Sequence, residues 1–169
     1  MEYTFHTQYD LKAMTALARG LRKTIRRKHS RRSHVFGWAV VVIGILLMLN
    51  ASEFTLRTVV TALAIAAIVA AFAFEDRLNG AVALKRGLPG LHSSQCVFLE
   101  EEYHSKTELG ESTFYYENIQ MLAETKDYFI LVMSANHGQV YDKTSMDIGK
   151  VEEFRRFICE KTGKEISAV

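Results

Sequence analysis

Two long apolar segments dominate the pattern of hydrophobic and polar positions. Residues 35–49 form an unbroken apolar run, and residues 54–74 form a second that is interrupted by one charge, Arg57. About 20 apolar residues in a helix span the hydrocarbon core of a bilayer; the first run is short and needs flanking residues or local thinning to reach across. The pattern predicts a transmembrane hairpin over residues 34–74. The alternative is a helical hairpin buried in a soluble protein.

Small residues recur at regular spacing in both apolar segments. Alanines repeat every four residues in the second segment, and two glycines lie seven apart in the first. Such spacing lets helices approach closely. We interpret these residues as the contact faces of the hairpin: Gly37, Gly44, Ala62, Ala66, Ala67 and Ala70. Self-association through the same alanines is the alternative.

Residues 1–33 are predicted to hold a short strand and a basic amphipathic helix. Residues 2–6 alternate, with Tyr3 and Phe5 on one side, and a lone strand must pair with a sheet elsewhere. Thr7 and Asp10 match a capping box. A helical apolar stripe then follows, made of Leu11, Met14, Ala18, Leu21 and Ile25.

Residues 75–169 change to short alternating stretches, which predict a separate β domain. The second apolar helix is expected to continue to about residue 86, where Gly87 and Pro89 end it. Strands are predicted at 95–101, 103–109, 112–116, 119–124, 128–133 and 139–142, followed by a helix at about 148–161. Gly163 is the expected C-cap of that helix. The pattern indicates a strongly bent sheet or open barrel closed by the terminal helix.

Charge is distributed unevenly, although the net charge is only +2. No acidic residue lies between Asp10 and Glu53, whereas residues 75–169 hold 16 acidic and 11 basic residues, a net of −5. Eight cations lie between residues 19 and 32, ahead of the first apolar segment: Arg19, Arg22, Lys23, Arg26, Arg27, Lys28, Arg31 and Arg32. Because Lys and Arg near a span stay cytoplasmic, both termini are predicted inside and the loop 50–53 outside.

The cations are interpreted as a membrane-surface patch for an anionic inner leaflet. Alternatively, the apolar stripe of their helix packs on the protein's own cytoplasmic domain. Nucleic acid is excluded as a partner because no aromatic interleaving or groove-binding motif accompanies the charge. Arg57 is expected to snorkel to the outer headgroups or to pair with Glu53. A role of Arg57 in an ion pathway is the alternative.

No motif in the sequence indicates catalysis. The histidines lack metal-ligand spacing, and no nucleophile elbow, Walker loop or dinucleotide turn is present. Cys96 and Cys159 lie far apart and are interpreted as reduced thiols. We therefore expect no catalytic residue, cofactor or metal. Tyr115 and Tyr128 are candidates for a recognition surface.

The segment VFLEEEYHSKTELGESTFYYENIQMLAETKDYFILVMSANHGQVYDKTSM followed by VEEFRRFI resembles the YcxB-like family of bacterial membrane proteins. STFYYENI, ETKDYFIL and the strand before the charged closing helix carry the resemblance. The family usually has a Trp near Tyr116 and an Ile-Pro-Lys-like stretch where residues 140–143 read VYDK. The resemblance implies a pleckstrin-homology-like fold at the membrane face and brings no catalytic residues.

The sequence therefore predicts an α+β membrane protein of three parts: residues 1–33, the hairpin with spans at 35–49 and 54–74, and a cytoplasmic YcxB-like domain at 75–169. The expected function is a non-catalytic binding or scaffolding module at the bacterial cytoplasmic membrane. An accessory or immunity-type subunit of another membrane protein is one alternative, and a membrane-associated enzyme or transporter component is another. A membrane-protein partner and a homo-oligomer both remain open.

Overall fold

The computed structural model describes residues 2–50, 53 and 55–169. Ala51 and Ser52 of the predicted outer loop and Phe54 of the predicted second span lie outside the described residues, as does Met1. The helices are α1 (Leu11–Lys23), α2 (Arg27–Leu49), α3 (Leu56–Ala73), α4 (Glu75–Arg86) and α5 (Ile148–Thr162). The strands are β1 (Tyr3–Gln8), β2 (Ser93–Phe98), β3 (Glu102–Thr107), β4 (Gly110–Tyr115), β5 (Met121–Glu124), β6 (Tyr128–Ser134), β7 (His137–Asp142) and β8 (Ile166–Ala168).

The first sheet is an antiparallel meander in the order β1-β2-β3-β4. Strand β1 pairs with β2 so that Phe5 lies opposite Cys96. The predicted pairing of the N-terminal strand with the sheet is therefore confirmed, although about 85 residues separate the two strands. The alternation of β1 explains the pairing, because Tyr3 and Phe5 are buried on one face of the strand and His6 is exposed on the other.

The second sheet has the order β7-β6-β5-β8. Strand β6 carries the most apolar run and lies between two neighbours, as its composition predicts. Strand β8 was not predicted; its three residues pair in parallel with β5, Leu122 lying opposite Ile166. Three residues are too few to give an alternating pattern, so the sequence carries no usable signal for this strand.

The main core lies between the sheets and is closed by α5. Phe154 of α5 is fully buried and has its ring within 5.4 Å of the rings of Tyr3, Phe5, Phe98 and Phe129. The predicted terminal helix is thus the plug of the domain. It ends at Gly163, whose φ of +64° is left-handed and easily adopted only by glycine.

A second core covers the opposite face of the second sheet. Ala13, Ala16 and Leu21 of α1 pack against a patch that includes Ile130 and Val140. The stripe of α1 is therefore occupied by the protein's own domain, which was the alternative to the membrane-surface interpretation. The predicted capping box is corrected as well, because Asp10 itself caps α1 by accepting a hydrogen bond from the N–H of Ala13 at 2.7 Å. Thr7 belongs to β1, where its Oγ1 accepts from the N–H of Asp142.

The two apolar helices leave the β domain through the connection between β1 and β2. Both α2 and α3 are long and apolar enough, by length and composition, to cross a membrane. Only 11% of the most apolar part of α2 and 6% of that of α3 is buried. The helical backbone is interrupted at Phe74 between α3 and α4. Helix α4 then lies along α1 and ends at Arg86, where the sequence predicts the end of the second apolar helix.

Candidate membrane interface and recognition surface

The basic block is divided between two helices. Arg19, Arg22 and Lys23 belong to α1, Arg26 lies in the turn that follows, and Arg27 begins α2. The chain turns here because Thr24 departs from helical backbone and its Oγ1 donates to the carbonyl of Gly20 at 2.6 Å. The basic residues therefore do not form one continuous face.

Two acidic residues at the start of α4 neutralise part of the block. Arg22 donates two hydrogen bonds to Asp76, at 2.6 and 2.8 Å, and Arg19 donates a third at 3.2 Å. The Oε2 atom of Glu75 lies 3.6 Å from the Nε of Arg22. The same oxygen is hydrogen-bonded to the Nε2 of His34 in α2, at 2.7 Å. One small cluster thus joins α1, α2 and α4 at the base of the hairpin.

The ionisation of Asp76 reflects this environment. Burial alone would raise the pKa of the carboxyl group, but the hydrogen bonds and charges of Arg22 and Arg19 outweigh burial and hold the pKa below its usual range. Asp76 is therefore an anion at neutral pH. Arg22 and Arg19 of α1 therefore form ion pairs within the protein.

Arg26 is also engaged within the protein. Its guanidinium donates to the carbonyl of Ala135 and to the side-chain oxygen of Asn136, both in the turn between β6 and β7. Three of the eight predicted membrane-surface cations are consequently bound to the protein itself: Arg19, Arg22 and Arg26. Their hydrogen bonds are directed to Asp76 and to the β6–β7 turn, and the membrane-surface role of the block stays a prediction.

The remaining five cations are exposed: Lys23, Arg27, Lys28, Arg31 and Arg32. Three of them line a groove of about 540 Å³ on α2 together with apolar residues one and two turns further along the helix. The groove residues are Lys28, Arg31, Arg32, Val35, Phe36 and Ala39. In this groove, exposed positive charge adjoins the exposed apolar surface of α2 directly.

The contact between α2 and α3 uses the predicted glycines but only one of the predicted alanines. Gly37 lies against the ring of Phe72, and Gly44 against Ile65, so a Cβ at either position would come within 3.0 Å or less of that side chain. Ala62 is partly buried, whereas Ala66, Ala67 and Ala70 are exposed. The contact face of α3 is corrected accordingly: larger side chains fill the space that the glycines leave.

Arg57 lies at the start of α3 and is exposed. The predicted ion pair with Glu53 is not present among residues 2–50, 53 and 55–169, although both residues line a shared groove near Thr58. The backbone carbonyl of Arg57 accepts from the hydroxyl of Thr61 at 2.9 Å.

Only one of the two candidate recognition tyrosines is on the surface. Tyr115, at the end of the edge strand β4, is 50% exposed, whereas Tyr128 is only 5% exposed. Tyr128 was expected outside because the aromatic residues alternate between the two faces of the sheet. Instead α1 covers it, and the ammonium of Lys12 lies 5.6 Å from its ring centre. Tyr128 is therefore not the exposed side chain that the sequence predicted, although it contributes to the lining of two surface pockets beside α1 and β1.

The buried polar groups of the domain form a structural network. Tyr103 and Tyr141 both donate to the side-chain oxygen of Gln139, at 2.8 and 2.6 Å, and the thiol of Cys96 lies 3.7 Å from the hydroxyl of Tyr141. Burial raises the pKa of the Cys96 thiol to about 12, so it is not a nucleophile at neutral pH. No group of three His, Cys, Asp or Glu side chains suited to a metal occurs in the part of the chain that the structure describes.

Fold and surface together define the class of protein: an α+β protein in which two long apolar helices emerge from a β-sheet domain. The family comparison is consistent with that class. Residues 98–158 match the family described as YcxB-like protein, which confirms the resemblance over β3 to β7 and most of α5. A search of curated proteins gives no match.

Proposed function

We propose that this protein is a two-span protein of the bacterial cytoplasmic membrane that holds a non-catalytic, pleckstrin-homology-like binding module at the cytoplasmic face. The observation that carries the proposal is the way the apolar helices leave the domain. They form an insertion between β1 and β2. At one end of that insertion α1 packs on the second sheet, and at the other end α4 packs on α1. A module attached in this way is presented at the membrane in one orientation.

The exposure of the apolar helices supports membrane insertion. A helical hairpin that served as the core of a soluble protein would be mostly buried, but nearly all of α2 and α3 is exposed. Exposed Phe36, Ile43, Leu46 and Leu63 would otherwise face water. The cations at the base of α2 then favour cytoplasmic N- and C-termini.

The strand order supports the pleckstrin-homology-like assignment. A four-stranded meander is followed by a three-stranded meander and a helix that plugs the space between them. The hairpin interrupts the first β connection of that arrangement. The family match falls on the part of the chain that follows the hairpin.

Binding is the activity that the surface supports best. The exposed Tyr115 stands at the end of β4, an edge strand whose outer side pairs with no other described strand. An unpaired edge next to an exposed aromatic side chain suits the recognition of an extended protein segment. The net negative charge of residues 75–169 argues against anionic lipid as the ligand of this part of the protein.

Site-specific photo-crosslinking in native membranes tests the binding function. A photoreactive residue at position 115 is expected to yield one discrete protein adduct, identified by mass spectrometry. The same residue at Lys106 or Lys150, both exposed on the same domain, is the control. Adducts of equal yield at all three positions, or none at position 115, would contradict a recognition surface at Tyr115.

A second candidate function is that of an accessory or immunity-type subunit of another membrane protein. The exposed face of Ala66, Ala67 and Ala70 on α3 favours it, because small residues on an exposed face let a partner helix approach closely. Replacing Ala66 and Ala67 by Leu should then abolish co-purification with a membrane partner in mild detergent. Unchanged co-purification, with Ile45→Leu on α2 as the control, would exclude this candidate.

A further inference from the structure

We propose that the groove on α2 lined by Lys28, Arg31, Arg32, Val35, Phe36 and Ala39 is a binding site for one anionic phospholipid of the inner leaflet. The inference rests on the proposed membrane insertion and names a ligand that the insertion alone does not require. General attraction of a basic segment to a charged bilayer would involve all five cations that Asp76 and the β6–β7 turn do not engage. The groove instead involves three of them.

The spacing of the groove residues matches the shape of a phospholipid. They recur at i, i+3, i+4, i+7, i+8 and i+11, which is one stripe of a helix. At 1.5 Å per residue, the stripe extends over about 16 Å, with cations in its first part and apolar residues in its second. A phosphate at the cationic end would place its acyl chains along Val35 and Phe36, which are 65% and 73% exposed.

The charge of the groove is free to bind an anion. No described acid forms an ion pair with Lys28, Arg31 or Arg32, whereas Arg19 and Arg22 are bound by Asp76. Two guanidinium groups on adjacent residues can each donate two hydrogen bonds to phosphate oxygens. The groove therefore offers strong donors without a competing internal acceptor.

The groove also faces away from the rest of the hairpin. Gly37, Val41 and Gly44 form the side of α2 that meets α3. Residues 35 and 39 each lie two positions from residue 37. At 100° per residue, each is therefore about 160° around the helix from residue 37 by the shorter way. The stripe therefore faces outward from the α2–α3 contact, where bilayer lipid has direct access.

Native mass spectrometry of the full chain released from nanodiscs tests this site. The nanodiscs contain equal amounts of phosphatidylglycerol and phosphatidylcholine. We expect the wild-type chain to retain one phosphatidylglycerol, and the double variant Arg31→Gln, Arg32→Gln to bind it about 25-fold more weakly, taking about fivefold for each charge. The double variant Lys23→Gln, Arg27→Gln loses the same charge outside the groove and should retain the lipid as the wild type does.

Three results would overturn the site. They are equal retention by the groove variant and the wild type, equal loss in the two double variants, and retention of phosphatidylcholine as readily as phosphatidylglycerol. Equal loss would mean diffuse attraction by charge in place of a groove. Resistance of the wild-type chain to alkaline extraction from membranes is measured in parallel, so that failure of membrane insertion is distinguished from failure of the lipid site.

Discussion

At the scale of single residues, the basic block divides according to the partner of each cation. Counting charges predicts that all eight lie on the membrane surface, because like charges in sequence suggest a common target. The structure assigns Arg22 to Asp76 and Arg26 to the turn at Ala135 and Asn136. The sequence could not reveal these pairs, since 54 and 109 residues separate the partners. A weak signal was present in Glu75 and Asp76, the first acids after the second apolar run.

Asp76→Asn should weaken the joint between α1, α2 and α4. The amide cannot accept both hydrogen bonds of Arg22 as an anion does, and Arg22 would keep a half-buried charge without a counter-charge. We expect a loss of about 2 kcal/mol in the free energy of unfolding, or a Tm lower by about 4–8 °C. Thermal unfolding in mild detergent measures this, with the exposed Glu117→Gln as a control that should leave the Tm unchanged.

The same variant has a defined pH dependence. Because the pKa of Asp76 is lowered in the folded protein, its stabilisation is complete above the ordinary aspartate pKa of about 4 and is lost as the pH falls through the folded-state pKa. The difference in Tm between the wild type and Asp76→Asn should therefore be constant near neutrality and shrink in acid. A difference that grew as the pH fell would contradict the assigned role.

At the scale of elements, the chain is organised by the close contact of α1 with α4. Gly80 of α4 makes that contact possible, because a Cβ there would lie 2.7 Å from the backbone nitrogen of Thr15 and 2.9 Å from the backbone carbon of Met14. Backbone atoms cannot move aside as a flexible side chain can. Sequence periodicity predicted both helices but not their contact, since α4 has no apolar stripe of its own that marks a partner.

Gly80→Ala should separate α1 from α4 and destabilise the protein. Alanine favours a helix over glycine by about 1 kcal/mol, but the clash with α1 is expected to cost about 1–3 kcal/mol. The matched control is Gly149→Ala in α5, where a Cβ meets nothing within 4 Å. Thermal unfolding should show a lower Tm for Gly80→Ala and an unchanged or slightly higher Tm for Gly149→Ala. A raised Tm in both variants would disprove the close contact.

At the scale of the whole molecule, patterns of period two and of long apolar runs carried most of the prediction. They located seven strands, the closing helix and the apolar parts of two long helices within a few residues, because each has a pattern that its own sequence records. They failed where burial depends on a distant partner. Tyr128 is covered by α1, the alanines of α3 are left exposed by α2, and β8 is too short to carry a pattern.

The orientation of the chain follows from the same architecture. If the hairpin crosses the bilayer, the β domain and both termini must lie on one side, since β1 and β2 are neighbours in one sheet. The turn near Glu53 must then lie on the other side. The cations that begin α2 predict that the side of the β domain is the cytoplasm.

Labelling with a membrane-impermeant maleimide tests this central claim most directly. Single cysteines replace Glu53, in the connection between α2 and α3, and Glu117, on the surface of the β domain, in a chain where Cys96 and Cys159 are changed to Ala. In intact spheroplasts, we predict labelling of Glu53→Cys at once and of Glu117→Cys only after the membrane is permeabilised. Labelling of Glu117→Cys in intact spheroplasts, or protection of both positions until permeabilisation, would contradict a hairpin that spans the membrane with its β domain inside.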